Sequence, residues 1–313
     1  MTTTMKAAVL EAHGAPLAVR HVPRPTPAPG EVLVRVAAAG LNPLDLKILA
    51  GAAPHAKHPA PAILGIDLAG VVEVSTVPAF APGDEVYGMT GGVGGVPGSL
   101  AEYATVDARL LARKPARLSM REAAALPLVA ITAWEGLVDR AQVQAGQTVL
   151  VMGAGGVGRV VIQLAIARGA QVWAVDREAK ASLIEALGAT ALTLGEPLGR
   201  DFDVVYDTVG GAALDAAFAA VRRFGHVVSC LGWGTHALGP LSFRAATYSG
   251  VFTLLPLLTG EGRAHHGEIL REVAALVEAG ALRPQVDPRR FTLDTVGAAF
   301  VAAERAKIVV DLR

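Results

Sequence analysis

The stretch Thr148-Val-Leu-Val-Met-Gly-Ala-Gly-Gly-Val-Gly-Arg-Val-Val-Ile-Gln-Leu-Ala-Ile-Ala-Arg168 decides the fold of this chain. An apolar run over residues 148–152 predicts a buried strand, and apolar residues at helical spacing over 157–168 predict a helix. The glycines between them fit the pattern G-x-G-x-x-G, which provides a tight turn, an open approach to a pyrophosphate and close helix packing. We therefore predict a strand–turn–helix unit whose helix N-terminus binds a dinucleotide phosphate. The alternative is a glycine-rich turn that binds no nucleotide.

An acidic residue follows the next predicted strand, 171–176, at the distance that this pattern requires. Asp176 lies about 20 residues beyond the glycines, where a carboxylate accepts hydrogen bonds from the adenosine ribose. This carboxylate favours NAD because it repels the extra phosphate of NADP, whereas the guanidinium of Arg177 could pair with that phosphate. The predicted cofactor is therefore NAD or NADP, and the predicted binding residues here are Gly153, Ala154, Gly155, Gly156, Val157, Gly158, Asp176 and Arg177.

Strands and helices alternate from residue 148 onwards, which is typical of a parallel sheet covered on both faces. Beyond the first unit, the pattern predicts helices at 177–187 and 212–223 and strands at 203–207 and 226–231. The chain is mixed again after residue 256, with predicted helices at 267–279 and 293–304 and a last strand at 307–312.

The first third of the chain has a different pattern of short strands separated by Pro and Gly, which indicates a barrel-like β unit. The predicted strands are 6–11, 17–21, 31–39, 67–74, 85–89 and 100–106. Ser119-Met-Arg-Glu122 then has the signature of a helix N-terminus, and it begins a long apolar helical stretch towards Asp139.

Composition excludes several classes of function. Lys plus Arg and Asp plus Glu both number 28, so no long-range field concentrates nucleic acid, an anionic membrane or an acidic substrate. The single cysteine, Cys230, is typical of a reducing compartment, and the cytoplasm is predicted. No uninterrupted apolar run reaches the ~18 residues of a membrane span, and the first residues lack a signal-like apolar core.

Several further motifs together resemble the medium-chain dehydrogenase/reductase superfamily, and most closely its zinc-independent quinone oxidoreductase, or zeta-crystallin-like, branch. They are Gly40-Leu-Asn-Pro-Leu-Asp45, Pro61-Ala-Ile-Leu-Gly-Ile-Asp-Leu-Ala-Gly70, Gly98-Ser-Leu-Ala-Glu-Tyr103, Leu126-Pro-Leu-Val-Ala-Ile-Thr-Ala-Trp134, Asp203-Val-Val-Tyr-Asp-Thr-Val-Gly-Gly211 and Lys307-Ile-Val-Val310. The resemblance implies an α/β protein with a GroES-like β-rich catalytic domain, residues 1–119 completed by 256–313. A Rossmann-type doubly wound domain, residues 120–255, is expected between them, with the active site in the cleft.

The zinc-dependent branch would place a cysteine near residue 42 and a His-Glu pair after Gly65. This chain has Asn42 and then Ile66-Asp67 at these positions, so no metal is expected. Without a Lewis acid, hydride delivery to an already electrophilic quinone or enone is favoured over alcohol oxidation.

By similarity, the catalytic residues are Asn42, Asp45 and Lys47. The amide of Asn42 is expected near the nicotinamide ribose and the substrate oxygen because it both donates and accepts; an ordinary Asn-Pro turn is the alternative. Lys47 is expected to hydrogen-bond a carbonyl or stabilise an enolate, unless it is a solvated side chain. Asp45 is interpreted as a hydrogen-bond partner within its turn.

The resemblance adds three cofactor contacts. Thr132 is similar to a threonine that contacts the nicotinamide half. Gly232 and Trp233 follow strand 226–231, at whose carboxyl end dinucleotides bind. The alternatives for Trp233 are a place in the substrate pocket and the cap of a hydrophobic edge.

The resulting hypothesis is an NAD(P)H-dependent reductase of quinones or enones. The alternatives are an enoyl-thioester reductase and a dinucleotide-binding protein with a structural or regulatory role. A homodimer is expected, as in relatives, through edge pairing by strand 226–231 and the apolar stretch 248–258.

Overall fold

The computed structural model describes residues 3–196, 198, 201–303 and 307–312. Glu304, the predicted end of helix 293–304, lies outside these residues. Within them the strands are β1 (Thr4–Leu10), β2 (Ala18–Pro23), β3 (Glu31–Gly40), β4 (Ala62–Ile63), β5 (Asp67–Ser75), β6 (Glu85–Met89), β7 (Tyr103–Asp107), β8 (Leu111–Arg113), β9 (Thr148–Met152), β10 (Gln171–Asp176), β11 (Thr190–Thr193), β12 (Phe202–Asp207), β13 (Val221–Ser229), β14 (Thr247–Gly250), β15 (Phe291–Thr292) and β16 (Val309–Asp311).

The helices connect these strands and cover the sheets. In chain order they are α1 (Pro43–Leu49), α2 (Met120–Ala124), α3 (Pro127–Trp134), α4 (Gly156–Ala167), α5 (Ala181–Ala186), α6 (Ala212–Ala220), α7 (Gly239–Ser242), α8 (Leu255–Thr259), α9 (Arg263–Glu278) and α10 (Val296–Ala303). A π-helical turn, Glu135–Arg140, continues α3. In the described part of the chain, no helix combines the length and apolar character needed to cross a membrane.

The chain divides into two compact units. The first unit comprises Met1–Leu128, Leu254–Glu278 and Arg283–Arg313, and the second comprises Val129–Thr253 and Ala279–Leu282. The first unit is rich in antiparallel β-structure: its larger sheet has the order β15-β16-β3-β5-β6-β8, with β7 also paired to β3. A smaller sheet has the order β2-β1-β4.

The second unit is built on a parallel sheet with the order β11-β10-β9-β12-β13-β14. This order reverses between β9 and β12, which is the switch point where open α/β sheets bind ligands. Helices α4, α5 and α6 lie against this sheet, and Phe202, Val205 and Phe218 are among its fully buried core residues. The predicted fold class, a Rossmann-type parallel sheet plus a GroES-like β-rich domain, is confirmed.

The predicted capping signal is present. The main-chain N–H of Ser119 donates to Glu122 Oε2 at 2.9 Å, and the N–H of Glu122 donates to Ser119 Oγ at 3.3 Å. The predicted continuous helix towards Asp139 is wrong, because α2 ends before Pro127 and α3 begins there. Proline lacks an N–H and disfavours helical backbone at the preceding residue.

Other helices also differ from the prediction. Helix 177–187 becomes a 3₁₀ turn, Glu178–Lys180, followed by the shorter α5. Helix 212–223 ends at Ala220, because β13 already begins at Val221 and pairs with β12. The Asn-Pro pair opens α1, with the proline at its first turn, and is not an isolated turn.

Candidate functional site

The glycine turn lies at the carboxyl end of β9, next to the switch point of the parallel sheet. Gly153 has φ +91°, a conformation that favours glycine. A Cβ on Gly158 would overlap the carbonyl oxygen of Gly153, so this glycine permits the helix to pack against the turn. A Cβ on Gly155 would meet nothing within 4 Å. Space is therefore open beside the N-terminus of α4, which has 12 residues, and this fits a dinucleotide phosphate.

The loop after β12 forms a second wall of this turn, and sequence reasoning missed it. Thr208 Oγ1 donates to the carbonyl oxygens of Met152 and Gly153 at 2.8 and 3.1 Å. The exposed Val209 lies beside Gly153, since a Cβ there would come within 2.7 Å of its Cγ2. The available signal was the polar Asp-Thr pair at the end of a buried strand, on the other side of the switch point.

Asp207 fixes the shape of that loop. Its buried carboxylate accepts hydrogen bonds from the main-chain N–H groups of Val209 and Gly210, both at 3.0 Å, and from Ser229 Oγ at 2.7 Å. These bonds hold the loop in one conformation beside the glycine turn.

Asp176 ends β10, as predicted, but its carboxylate already has several donors. It accepts from the main-chain N–H of Ala154 and from Lys180 Nζ, both at 2.8 Å, and from the N–H of Arg177 at 2.7 Å. Burial raises the pKa of Asp176, but these hydrogen bonds outweigh it and lower the pKa below its ordinary value. Asp176 is therefore a carboxylate that ties the glycine turn to β10.

The charges beside Asp176 leave both cofactors open. The side chain of Arg177 is 79% exposed, and its Nε lies 3.9 Å from Asp176 Oδ1. Lys180, which sequence reasoning did not single out, brings a second cation to this carboxylate. The carboxylate can accept from a ribose hydroxyl, and the two cations can pair with a phosphate.

Thr132 is buried in α3 and belongs to a polar network of the second unit. Thr253 Oγ1 lies 3.1 Å from Thr132 Oγ1 and donates to Glu135 Oε2 at 2.7 Å. The hydroxyl of Tyr206 donates to the main-chain oxygen of Thr132 at 2.6 Å. This carbonyl oxygen belongs to α3, and Glu135 begins the π-helical turn, so the network joins α3 to that turn.

Gly232 and Trp233 follow β13. A Cβ on Gly232 would overlap the hydroxyl oxygen of Tyr248, so the main chain of this glycine lies against that side chain. Trp233 is 55% exposed, and its ring packs edge-on against Phe252 with 5.7 Å between centroids.

A buried polar cluster occupies the first unit, at the ends of three neighbouring strands. Asn42 follows β3, Asp67 begins β5, and Lys307 precedes β16. Lys307 Nζ donates to Asn42 Oδ1 at 2.6 Å and lies 3.4 Å from Asp67 Oδ2. Asn42 Nδ2 donates to the same Asp67 oxygen at 2.9 Å. Sequence reasoning named Asn42 but missed the roles of Asp67 and Lys307.

Asp45 joins this cluster through α1. Its Oδ2 accepts from the main-chain N–H of Asn42 at 2.8 Å, and its Oδ1 has no hydrogen-bond partner among the described residues. Asp45 is therefore a partner within the first turn of a helix. Burial raises the pKa of Asp45 to about 7. Burial also raises the pKa of Asp67 and lowers the pKa of Lys307, against the opposing effect of their mutual attraction.

Lys47 is not brought to this cluster. Its side chain is exposed and makes no hydrogen bond or ion pair within the described part of the chain. The three predicted catalytic residues thus separate into a contacting pair, Asn42 and Asp45, and a solvated Lys47.

The donor set of the cluster does not fit zinc. Asn42 offers an amide where zinc prefers thiolate or imidazole, and the Lys307 ammonium already compensates the charge of Asp67. Among the residues that the structure describes, no three His, Cys, Asp or Glu side chains are grouped to hold a metal ion.

Comparison with known proteins gives the following likenesses. The alcohol dehydrogenase GroES-like domain family matches residues 28–116, and the family described as zinc-binding dehydrogenase matches residues 181–309. A 2-methylene-furan-3-one reductase of Solanum lycopersicum is 38% identical over 293 residues, which cover 88% of this chain and 69% of that protein. A chloroplastic NADPH-dependent alkenal/one oxidoreductase of Arabidopsis thaliana is 36% identical over 286 residues, 86% of this chain and 68% of that protein.

A solved structure is more similar still. The crystal structure of an alcohol dehydrogenase superfamily protein from Novosphingobium aromaticivorans superposes with a TM-score of 0.97 at 56% identity, covering 99% of this chain and 100% of that chain.

Proposed function

Since this chain belongs to the medium-chain dehydrogenase/reductase superfamily of NAD(P)-dependent oxidoreductases, in its quinone oxidoreductase-like branch, we propose that it reduces quinones or α,β-unsaturated carbonyl compounds. The reduced nicotinamide supplies a hydride when it is bound. An enone then takes the hydride at its β-carbon and a proton at its α-carbon, which gives the saturated ketone.

The observation that carries this proposal is the ammonium of Lys307 beside Asp67, at the position where a zinc-dependent relative would need a metal ligand set. The proposed reaction is therefore zinc-independent. Without a Lewis acid to polarise an alcohol, the acceptor itself must be electrophilic, and quinones and enones meet this requirement. Asn42 is the proposed contact for the substrate oxygen or the ribose, because its amide both donates and accepts.

The cofactor is proposed to bind at Gly153–Gly158, Asp176, Arg177 and the loop after β12, with Thr132, Gly232 and Trp233 at the nicotinamide half. We assign the catalytic domain to residues 1–119 and 256–313 and the cofactor domain to residues 120–255; the two compact units support this division. Lys47 is proposed to act on substrate only if ligand binding draws its exposed side chain to the acceptor.

Two further proposals concern the cellular compartment and the oligomeric state of the enzyme. The single cysteine supports a cytoplasmic protein. A homodimer is supported by the free outer edge of β14, which pairs only with β13 among the described residues. The predicted pairing through strand 226–231 is wrong, because β13 lies inside the sheet between β12 and β14.

A turnover screen tests the function. Loss of reduced-cofactor absorbance is followed with small quinones, enones, aldehydes and an enoyl thioester, each with NADH and NADPH. We expect turnover with quinones or enones. Turnover confined to the enoyl thioester would favour an enoyl-thioester reductase, and tight cofactor binding without turnover would favour a structural or regulatory role.

The variant Gly155→Ala tests the cofactor site itself. Its methyl group would enter the open space beside α4, so we expect dinucleotide affinity to fall about tenfold or more, which corresponds to about 1.4 kcal/mol. Gly297→Ala is the matched control, since a Cβ there also meets nothing within 4 Å and the residue lies in α10 of the other unit. Equal affinities for both variants would contradict the assigned site.

A further inference from the structure

In the first unit, the pairing of strand ends brings Lys307 to the side chain of Asn42, the proposed contact for the substrate oxygen. β3 runs antiparallel to both β5 and β16, so its carboxyl end lies beside their amino ends. Asn42, Asp67 and Lys307 occupy these three ends and form a closed triangle of polar contacts. The contact between Asn42 and Lys307 spans 265 positions of the chain.

The chemistry of the triangle fixes which way the Asn42 amide faces. An ammonium only donates hydrogen bonds, and an ionised carboxylate only accepts them. Oδ1 therefore faces Lys307 and Nδ2 faces Asp67. A rotation of the amide by 180° would set its NH₂ against the ammonium and its oxygen against the carboxylate, with two repulsive contacts in place of two attractive ones.

Asp67 is itself anchored. Its Oδ1 accepts from the main-chain N–H of Leu128 at 2.9 Å, and its backbone pairs with Gly40 and Met89 in the sheet. The carboxylate is 0% exposed. The main chain thus holds Asp67 in place, and the Asn42 amide cannot turn without moving the buried charge of Asp67.

We propose that Lys307 is a positioning residue of the reductase: held by Asp67, it fixes and polarises the amide of Asn42 for the substrate oxygen. Two hydrogen-bonding sites of the Asn42 amide are then left for a ligand. Oδ1 keeps one acceptor site beside the bond to Lys307, and the second N–H of Nδ2 has only a long 3.5 Å contact to the oxygen of Gly40. Donation from Lys307 draws electron density towards Oδ1, which strengthens Nδ2 as a donor. This inference rests on the proposed function.

Removing one partner of a buried ion pair also destabilises folding, because the other charge is left buried and unpaired, so loss of stability alone does not distinguish the two roles. Lys114 provides the control, because it is a second buried lysine of the same unit outside the cluster. Its side chain is 6% exposed, and its Nζ donates to the oxygen of Leu118 at 2.6 Å and pairs with Glu85 at 3.1 Å.

The kinetic test is a double-mutant cycle of Asn42→Ala and Lys307→Met, with Lys307→Arg as the conservative variant. Steady-state constants are measured on the best acceptor at a temperature where all variants are folded. We expect Lys307→Met to lower kcat about tenfold with a cofactor Kd within about twofold of wild type, and Lys307→Arg to recover part of the loss. The double variant should be no slower than Asn42→Ala alone. Additive losses, or a loss no larger than that of Lys114→Met, would overturn the proposal.

A second measurement does not depend on turnover. Asn42 is the only asparagine of the chain, so protein made by cell-free synthesis with side-chain ¹⁵N-asparagine gives one NH₂ signal. We expect two resolved amide protons with exchange slowed at least about tenfold against free asparagine in wild type and in Lys114→Met, and fast exchange in Lys307→Met. Fast exchange in wild type would refute the positioning role. Slow exchange without turnover on any acceptor would instead refute the proposed function and leave the fixed amide standing.

Discussion

Asp45 is a buried carboxyl group whose ionisation opposes folding. Its pKa is about 7 in the folded protein and 3.8 without burial. Between these values the native state holds a proton that the unfolded chain has lost. The stability that this proton confers is complete below pH 3.8 and is lost as the pH rises through about 7.

The variant Asp45→Asn removes this titration and keeps an oxygen that accepts the N–H of Asn42. We expect the free energy of unfolding of wild type to fall relative to the variant from pH 4 towards 7, by up to about 1.4 kcal/mol per pH unit. Above that range the difference should level off. Urea unfolding across pH measures it, and parallel curves for the two proteins would show that Asp45 does not titrate in this way.

Single residues were predictable from the sequence where a local pattern fixes their role. The glycines of the turn and Asp176 follow from spacing around one strand, and Ser119 from the residue three positions on. Lys307 was not, because its role depends on Asn42, 265 positions away. Only the pairing of β16 with β3 makes this contact. A lone lysine before the apolar run Ile-Val-Val was the available signal.

The π-helical turn Glu135–Arg140 depends on a glycine at its start. Gly136 is buried, and a Cβ there would overlap the ring and hydroxyl of Tyr206. We expect Gly136→Ala to destabilise the protein by about 1–3 kcal/mol through overpacking. Gly297→Ala, in the open surface of α10, should instead be neutral or stabilise by up to about 1 kcal/mol. Thermal unfolding compares them, and equal melting temperatures would mean that Tyr206 can move aside.

Strands and helices were predictable from the sequence where a local pattern of residues decides them. The bounds of β6, β9 and β10 are those predicted, because each is a short and mostly apolar segment that follows a turn with glycine. β11 was missed, since Thr190–Thr193 has no alternation and is a strand because β10 offers it an edge. The first residues of β13 were predicted as helix, but pairing with β12 outweighs their helical pattern.

The whole first unit is assembled from both ends of the chain. β16 lies between β15 and β3, so residues near 310 complete a sheet that begins near 31. The sequence indicated this division only through resemblance, because no local pattern records which distant strands pair. The same limit applies to surfaces: an exposed strand edge has no signature in the sequence that separates it from an interior strand such as β13.

The outer edge of β14 predicts association of the whole molecule. Thr247, Tyr248 and Gly250 are exposed along this strand, and its other edge already pairs with β13. An unpaired edge is a template for another strand, and a two-fold axis would join two copies of β14 in antiparallel fashion. Light scattering after gel filtration should then give twice the 32.1 kDa of one chain.

Thr247→Lys tests this edge, because a lysine on an exposed strand edge opposes pairing with a second strand. We expect this variant to shift to the monomer at concentrations where wild type is dimeric. Val301→Lys is the control, since Val301 is 70% exposed on α10 of the first unit, and it should stay dimeric. A monomeric wild type would exclude the dimer. Equal dissociation of both variants would place the interface elsewhere, because only pairing through β14 makes the dimer more sensitive to a charge at residue 247 than at residue 301.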